Sequence, residues 1–429
     1  MPVSSGFQAA VVSHRTGNIG HALMAVGAEE IVREAHGSDG VRVTHLAQHR
    51  PFDIYPPWSP LRALNVLPES STVSGRFVRG RLAELALAAR DAEPTRRFAR
   101  RIAWGRPARA LWRFARVTEF DVVLTCGGPN IVPWMSRSPL LALLHHHMYG
   151  AVTANGVPLL SLAVGTAFPH ERVPERLDAE NSRFLARSLE AATVTTVRDE
   201  LARRLCADAG WDCPLLPCTA LLCGVRWERG RAPAPESSRY VLANYQLRGA
   251  NDDWGTGVQT DTWRRTVREL LDRLRTRHEV AMLAHDTREE QWAAELAPEL
   301  PVFRPRTPEE YADVAAGAKA GLVSRIHGAL PLAGVGAPAV VVGTDTRLGA
   351  IETMGLPTVY VKEATADLLE HELERLLSAR DAERERLLAL RAETLARYAA
   401  LVRSVVAGPA PAAEPRPPGV DVPLVRSAR

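Results

Sequence analysis

Residues 320–342 read AGLVSRIHGALPLAGVGAPAVVV: an apolar run, a polar turn, a run of small residues and a second apolar run. The two apolar runs, 320–323 and 338–342, predict strands, and residues 329–335 predict a helix between them. A strand, helix and strand of this length form a crossover connection in a parallel sheet. This stretch therefore predicts an α/β fold built on open parallel sheets.

The polar turn of this stretch is Ser324-Arg325-Ile326-His327-Gly328, between the first strand and the helix. In open parallel sheets, ligands bind outside the carboxyl ends of the strands, and free N–H groups at helix N-termini attract anions. Arg325 and His327 are therefore candidates to hold an anionic substrate. On position alone, the alternative is an arginine in a salt bridge and a hydrogen-bonded histidine at a domain surface.

The same alternation of strands and helices runs through the rest of the chain, and a length of 429 residues predicts two domains. A polar, proline-bearing segment at 224–238 predicts the linker between an N-terminal domain, 1–223, and a C-terminal domain, 239–407. The predicted strands are 8–13, 41–46, 120–125, 158–164 and 194–197 in the first domain, and 240–244, 279–284, 320–323, 338–342 and 358–361 in the second.

Two Rossmann-like open-sheet domains that face a cleft resemble the GT-B architecture of many transferases. Leucines spaced three and four residues apart predict a long C-terminal helix from 365 to about 406, which we expect to pack back across the domain interface. The proline- and alanine-rich segment 408–429 predicts a disordered tail.

The amino-acid composition limits which residues can hold an anion and which partners the protein has. Lys319 and Lys362 are the only lysines, and neither has the glycine-rich frame of a P-loop, so we expect arginine, histidine or backbone amides to hold any phosphate or carboxylate. A net charge of +4 gives no argument for a nucleic-acid partner. Without a signal-peptide pattern or an apolar run of about 20 residues, the sequence predicts a cytoplasmic protein.

Cysteines and histidines cluster in ways that could suggest a metal site. The gaps between Cys206, Cys213, Cys218 and Cys223 are six, four and four residues, unlike the close pairs of most zinc sites. Three consecutive histidines, 145–147, point about 100° apart on a helix and cannot converge on one ion. We expect buried reduced thiols and no metal.

A basic insert runs from Arg90 to Arg116 and has aromatic residues among its arginines. Between its two ends lie Arg96, Arg97, Arg100, Arg101, Arg106, Arg109 and Arg113. One interpretation is a solvated helix face packed through its aromatics. The alternative is peripheral contact with an anionic membrane or an extended anionic acceptor.

Three further elements lie at predicted strand ends: Gly17-Asn18-Ile19-Gly20, Cys126-Gly127-Gly128 and Arg198-Asp199. Each glycine turn is either a tight connection or an anion-binding nest of backbone amides. Arg198 and Asp199 form either an ion pair at the start of a helix or part of a binding site.

The order of these elements resembles the polysaccharide pyruvyl transferase family from about Ala9 to Pro357. The Arg325-Ile326-His327 element, followed by Gly336-Ala337-Pro338, is the most specific part of the resemblance, and it extends to Asp345-Thr346-Arg347. Two positions depart from the family pattern: His21 replaces an acidic residue, and Cys218-Thr219 stands where the family tends to have an aspartate.

The resemblance implies transfer of a pyruvyl group from phosphoenolpyruvate to a pair of hydroxyls on a glycan, a glycolipid precursor or a glycosylated metabolite, with no cofactor. Arg325 would pair with the donor phosphate or carboxylate, and His327 would be the acid. The remaining residues would bind substrate: Gly17, Asn18, Gly20, His21, Gly127, Gly128, Arg198, Asp199, Ser324, Asp345 and Arg347.

Two other functions stay open at this point. The first is a nucleotide-sugar glycosyltransferase of the same architecture, with the glycine turns and Arg325 holding a diphosphate. The second is a non-catalytic relative that binds an anionic saccharide or a partner protein. The sequence also leaves open whether the protein forms homo-oligomers.

Overall fold

The computed structural model describes residues 6–13, 19–38, 40–47, 54–55, 58–59, 115–137, 147–230, 238–249 and 257–407. Gly17 and Asn18, the basic insert apart from its last two residues, and the predicted tail at 408–429 lie outside these ranges.

The N-terminal domain contains one five-stranded sheet in the order β2-β1-β3-β4-β5, with every neighbouring pair parallel. Its strands are β1 (Gln8–Ser13), β2 (Arg42–Ala47), β3 (Val122–Ile131), β4 (Leu159–Thr166) and β5 (Val194–Val197). Its described helices are α1 (Ile19–His36), α2 (Tyr149–Ala154), α3 (Ala179–Ala191), α4 (Glu200–Asp208) and α5 (Cys223–Gly230). The strand order reverses between β1 and β3, which is where such sheets bind ligands.

The C-terminal domain contains a six-stranded parallel sheet in the order β11-β10-β9-β6-β7-β8, the doubly wound order of Rossmann folds. Its strands are β6 (Tyr240–Asn244), β7 (Glu279–Leu283), β8 (Val302–Phe303), β9 (Ala318–Val323), β10 (Ala339–Gly343) and β11 (Thr358–Tyr360). Its described helices are α6 (Thr260–Leu274), α7 (Thr287–Leu296), α8 (Pro308–Ala316), α9 (Ile326–Gly334), α10 (Gly349–Glu352), α11 (Ala366–Ser378) and α12 (Arg380–Val406). Here the strand order reverses between β6 and β9.

The predicted linker, 224–238, begins inside a helix rather than in irregular chain, because α5 extends to Gly230. Residues 231–237 lie outside the described ranges. The polar composition of α5 was misleading: Arg226 pairs with Glu29 at 2.7 Å and with Glu30 at 3.0 Å on α1. The polar side chains therefore attach this helix to the N-terminal domain.

The predicted C-terminal helix is two helices, α11 and α12, separated at Ala379. The longer one, α12, packs on the N-terminal sheet, where Leu395, Tyr398 and Val402 lie in one buried cluster with residues of β1, β3 and β4. Tyr398 Oη donates to the carbonyl of Pro217 at 2.9 Å. The chain thus returns across the domain interface as expected.

The two domains also meet between the chain after β4 and the chain after β10. Thr346 N donates to the carbonyl of Phe168 at 2.9 Å, and His170 N donates to the carbonyl of Thr344 at 3.0 Å. These hydrogen bonds fix the carboxyl ends of the two sheets against each other. Within the described ranges, no helix has the length and apolarity required to cross a membrane.

Candidate active site

The candidate site begins where the first turns of α1 and α9 touch across the domain interface. A Cβ atom added at Gly20 would lie 2.7 Å from His327 Cβ and 2.8 Å from His327 Nδ1. Gly20 is therefore needed for close packing against the histidine. The ring of His21, the next residue, lies edge-on to the His327 ring at a centroid distance of 6.1 Å.

His327 is an imidazole surrounded by positive groups. Its Nε2 atom is buried and has no hydrogen-bond partner among the described residues. Burial, and then the nearby Arg198, His21, His285 and Arg325, hold the pKa of His327 well below its usual range. The imidazole is therefore neutral at pH 7 in the protein without ligand.

Arg198 follows β5 and is fully buried, with 0% of its surface exposed. Its Nη1 atom lies 3.7 Å from Cys218 Sγ, while Nε and Nη2 have no hydrogen-bond partner in the described part of the chain. The guanidinium lies against β4, since a Cβ atom at Gly165 would come within 2.2 Å of Nε. Buried donors without a hydrogen-bond partner are costly, which makes the free edge of this guanidinium a candidate site for an anion.

Asp199 lies close enough to Arg198 for the arginine's charge to lower the pKa of its carboxyl group. The hydrogen bonds of the carboxylate go to other groups. Asp199 caps α4 by accepting from Ala202 N at 2.7 Å, and it also accepts from Thr166 N at 2.9 Å. Burial raises the pKa of Asp199, although these hydrogen bonds act in the opposite direction. The carboxylate thus connects β4 to α4, and it is also a nearby opposite charge to Arg198.

Arg325 follows β9 and is 8% exposed. Its Nε donates to Glu289 Oε1, and its Nη2 donates to Asp286 Oδ2 at 3.2 Å. Ser324, the residue before it, donates its backbone N–H to the carbonyl of Asn244 at 3.2 Å. Arg325 is therefore fixed by carboxylates of its own domain, unlike Arg198.

Glu289 is the centre of a polar network that the sequence analysis missed. The carboxylate accepts from Asn244 Nδ2 at 2.9 Å, Gln246 Nε2 at 2.7 Å and His285 N at 2.9 Å, besides Arg325. Burial would raise the pKa of Glu289, but His285 and Arg325 lower it overall. Asn244 ends β6 and His285 comes soon after β7, so the rule that ligands bind at strand ends could have identified them.

The network continues to His327 through Tyr311. The ring centroids of His285 and Tyr311 lie 5.9 Å apart, and Tyr311 Oη donates to the carbonyl of His327 at 3.4 Å. Tyr311 is completely buried. The histidine at the start of α9 is thus connected to the ends of β7 and β9.

The glycine pair Gly127-Gly128 is expected to follow the predicted strand 120–125. It lies inside β3, because this strand extends to Ile131. Gly127 and Gly128 have φ values of +25° and +152°, which side chains rarely adopt. A Cβ atom at Gly127 would lie 2.9 Å from Met24 Sδ on α1. This pair is required for backbone conformation and close packing within β3, so it does not form the predicted turn after a strand.

Asp345 and Arg347 form a bidentate ion pair with each other, with Arg347 Nε donating to Asp345 Oδ1 at 2.8 Å and Nη2 to Oδ2 at 2.5 Å. Asp345 also forms a β-bridge with Pro169 of the N-terminal domain. The pair therefore belongs to the domain contact after β4 and β10. By contrast, Gly20, His21, Arg198 and His327 come together.

The five cysteines, Cys126, Cys206, Cys213, Cys218 and Cys223, are buried free thiols, as expected. Within the described residues, no group of three or more metal-ligating side chains could hold an ion.

Several solved structures have a similar fold at very low sequence identity. An enzyme assigned as a UDP-N-acetylglucosamine 2-epimerase from Listeria monocytogenes is 11% identical with a TM-score of 0.51, covering 93% of this chain and 96% of the other. The S. aureus MnaA–UDP structure is 10% identical with a TM-score of 0.51 and the same coverages, 93% and 96%. Trehalose-6-phosphate synthase OtsA is 11% identical with a TM-score of 0.51, covering 94% and 99%.

At this identity the similarity shows the fold alone, a GT-B arrangement of two parallel-sheet domains. No curated protein matches the chain. The model of the family described as polysaccharide pyruvyl transferase matches residues 43–346, a range that contains Arg198, Glu289, Arg325 and His327. With most of its length matched, this chain belongs to the polysaccharide pyruvyl transferase family.

Proposed function

We propose that this protein transfers the pyruvyl group of phosphoenolpyruvate to a pair of hydroxyls on a sugar-containing acceptor, forming a cyclic ketal. The observation that carries the proposal is the buried guanidinium of Arg198, whose Nε and Nη2 atoms have no partner within the described residues. Those two atoms form the edge of a guanidinium that binds a carboxylate or phosphate in a bidentate manner. Phosphoenolpyruvate has both groups.

In this proposal, Arg198 takes the role that the sequence analysis gave to Arg325. Arg325 donates from Nε and Nη2 to Glu289 and Asp286, so the corresponding edge of its guanidinium is occupied. Arg325 then contributes a fixed charge beside the donor, while Arg198 binds one of its anionic groups directly. Gly20 and His21, which lie against His327, are the further N-terminal-domain residues of the proposed donor site.

His327 is the proposed acid. In the first step, one acceptor hydroxyl oxygen bonds to the enol carbon of phosphoenolpyruvate while the methylene carbon gains a proton. In the second step, the other hydroxyl oxygen bonds to the same carbon, and the bond between that carbon and the phosphate oxygen breaks. The two hydroxyls lose two protons in all: one is matched by the proton that converts the methylene carbon to a methyl group, and the other leaves with phosphate or solvent. A bound anion raises the pKa of His327 by offsetting the neighbouring cations, which lets the imidazole carry the proton.

Phosphate release from phosphoenolpyruvate tests the proposal, measured with a panel of hexosides that have free hydroxyl pairs. We expect Arg198→Gln to raise the KM for phosphoenolpyruvate at least tenfold, and His327→Asn to lower kcat by a factor of about 10² or more. Arg203→Gln is the matched control, because Arg203 lies on the exposed side of α4 and pairs with Glu200. Full turnover by His327→Asn would contradict its assigned role.

The competing functions give different results with the same protein. A ligand that binds only the folded state at a hundredfold its Kd adds about 2.7 kcal/mol of stability, so thermal unfolding with phosphoenolpyruvate and with UDP- and GDP-sugars separates the two donors. Stabilisation by a sugar nucleotide alone would favour a glycosyltransferase. Saccharide binding that is unaffected by Arg198→Gln and His327→Asn, without turnover, would indicate a non-catalytic relative.

A further inference from the structure

Glu289 is a carboxylate with 1% of its surface exposed at the start of α7, where it accepts from five donors. The donors belong to Asn244 at the end of β6 and Gln246 just after it, to His285 after β7, and to Arg325 after β9. These are three adjacent strands of the sheet, at the edge where the strand order reverses. Ligands bind at this edge of a doubly wound sheet.

A contribution to stability alone does not account for such a network. Burying an ion pair costs about as much desolvation free energy as the attraction returns, and apolar side chains of similar size often serve equally well. Three polar atoms of the network have no partner among the described residues: Asn244 Oδ1, Gln246 Oε1 and His285 Nε2. A network built only for stability would satisfy these atoms or omit them.

Two carboxylates fix the orientation of the Arg325 guanidinium. Glu289 Oε1 accepts from Arg325 Nε, and Asp286 Oδ2 accepts from Arg325 Nη2 at 3.2 Å. Asp286 is itself held in place, because its Oδ1 caps α7 by accepting from Arg288 N at 2.9 Å and Glu289 N at 3.0 Å. Two carboxylates on one rigid helix turn thus fix one guanidinium at two points.

We propose that Glu289, assisted by Asp286, is a positioning residue that fixes the guanidinium of Arg325 in the donor site. The assignment rests on the proposed function, since it takes the donor to be an anion held beside Arg325 and Arg198. Glu289 acts through Arg325 and does not touch the donor. Its negative charge reduces the net positive charge of the site, and in return the orientation of Arg325 is fixed before the donor binds.

This role predicts a result opposite to that of simple charge balance. Glu289→Gln makes the site more positive, so long-range electrostatics alone would strengthen the binding of an anion. Positioning predicts weaker binding, because Arg325 loses its fixed direction. We expect the Kd for phosphoenolpyruvate and for inorganic phosphate to rise at least tenfold in Glu289→Gln, measured by isothermal titration calorimetry.

A double-mutant cycle with Arg325→Gln distinguishes positioning from a general structural role. In the Arg325→Gln background, Glu289 has no guanidinium to position. We therefore expect the added Glu289→Gln substitution to change the Kd less than twofold. Asp286→Asn is a milder second variant, since asparagine caps a helix as well as aspartate does, and we expect a rise in Kd of about threefold. If Glu289→Gln does not fold, the same cycle with Asp286→Asn decides the question.

Glu290→Gln is the matched control on the same helix, because Glu290 pairs with Arg304 at 2.7 Å, away from Arg325. It should leave the Kd unchanged. The assignment is overturned if Glu289→Gln leaves anion affinity unchanged or increases it, or if it weakens binding equally with and without Arg325.

The two proposals can fail separately. A wild-type protein that binds inorganic phosphate but releases none from phosphoenolpyruvate contradicts the proposed function, while the cycle run with phosphate still decides the role of Glu289. Turnover of phosphoenolpyruvate with a fully additive cycle contradicts the positioning role alone. Binding of neither anion by the wild-type protein overturns both.

Discussion

Arg198 and Arg325 are two buried arginines that each follow a parallel strand, one in each domain, but their surroundings differ. Arg325 donates to two carboxylates, Glu289 and Asp286. The Arg198 guanidinium has one hydrogen-bond contact, from Nη1 to Cys218 Sγ at 3.7 Å, while Nε and Nη2 have no hydrogen-bond partner among the described residues. Its nearby opposite charge is Asp199, which makes its hydrogen bonds to other groups. The N-terminal domain therefore contributes a guanidinium with two open donors, and the C-terminal domain contributes one with a fixed direction.

This difference shows that burial alone does not define the role of a charged residue. A compensated arginine contributes to the folded protein whether or not ligand is present. A buried arginine with open hydrogen-bond donors is a cost that a bound anion reduces. Five predictions test this comparison, in order of decreasing effect.

Stability should respond in opposite directions to the loss of each arginine. Arg325→Gln leaves the charge of Glu289 buried without its cation, which should lower the free energy of unfolding by about 3–5 kcal/mol. Arg198→Gln removes a buried charge whose Nε and Nη2 have no hydrogen-bond partner among the described residues, so the free energy of unfolding should stay the same or increase. Urea denaturation of both variants without ligand measures this, and equal destabilisation would contradict the comparison.

Gly20 should tolerate no side chain, because the N-terminal domain packs directly against His327 at this contact. Gly20→Ala places a Cβ atom 2.7 Å from His327 Cβ, which should cost about 1–3 kcal/mol of stability and lower kcat at least tenfold. Gly349→Ala is the matched control, since its added Cβ atom would meet only Asp199 Cβ, at 3.4 Å. Unchanged kcat in Gly20→Ala would show that the contact is not required.

Donor binding should be coupled to proton uptake at His327. Burial and neighbouring cations depress the pKa of this histidine in the free protein, and a bound anion raises it, so binding takes up a proton at a pH between these two pKa values. Calorimetry in two buffers of different ionisation enthalpy measures the proton count. His327→Gln corrects for protons exchanged by the donor itself, and no difference from wild type would contradict the coupling.

The depressed pKa of His327 also makes the free energy of unfolding depend on pH. Because the unfolded chain binds a proton at His327 near pH 6.5 and the folded chain does not, the contribution of the neutral imidazole is present above about pH 6.5 and is lost as the pH falls below it. His327→Gln should therefore reduce the loss of stability on the acid side of pH 6.5, as measured by urea denaturation at several pH values.

The smallest effect concerns the backbone of Arg198. Thr353, at the end of α10 in the C-terminal domain, donates from Oγ1 to the carbonyl of Arg198 at 3.3 Å. Thr353→Val should cost about 0.5–1.5 kcal/mol of stability and raise the KM for the donor a fewfold. Thr358→Val is a suitable control, since Thr358 pairs with Glu352 at the protein surface. An equal change in KM for both variants would exclude a role for this contact.

The sequence by itself determined the fold class and the position of the site. Apolar runs of strand length, each followed by a turn and a helical pattern, predicted all the described strands except β8, which has only two residues. The position of Ser324 to Gly328 after a strand indicated Arg325 and His327 without any structure. Local periodicity is enough for this because strand ends in parallel sheets all face one edge.

Only the tertiary structure decided which residues work together and how. The free edge of Arg198, the close approach of Gly20 to His327, and the five contacts of Glu289 join residues from distant parts of the chain. Asp199, Asp345 and Arg347 have hydrogen bonds that account for them within the framework of the protein. Pairing and burial set the energetics of a charged group, and both depend on how the two domains pack, which no local pattern in the sequence specifies.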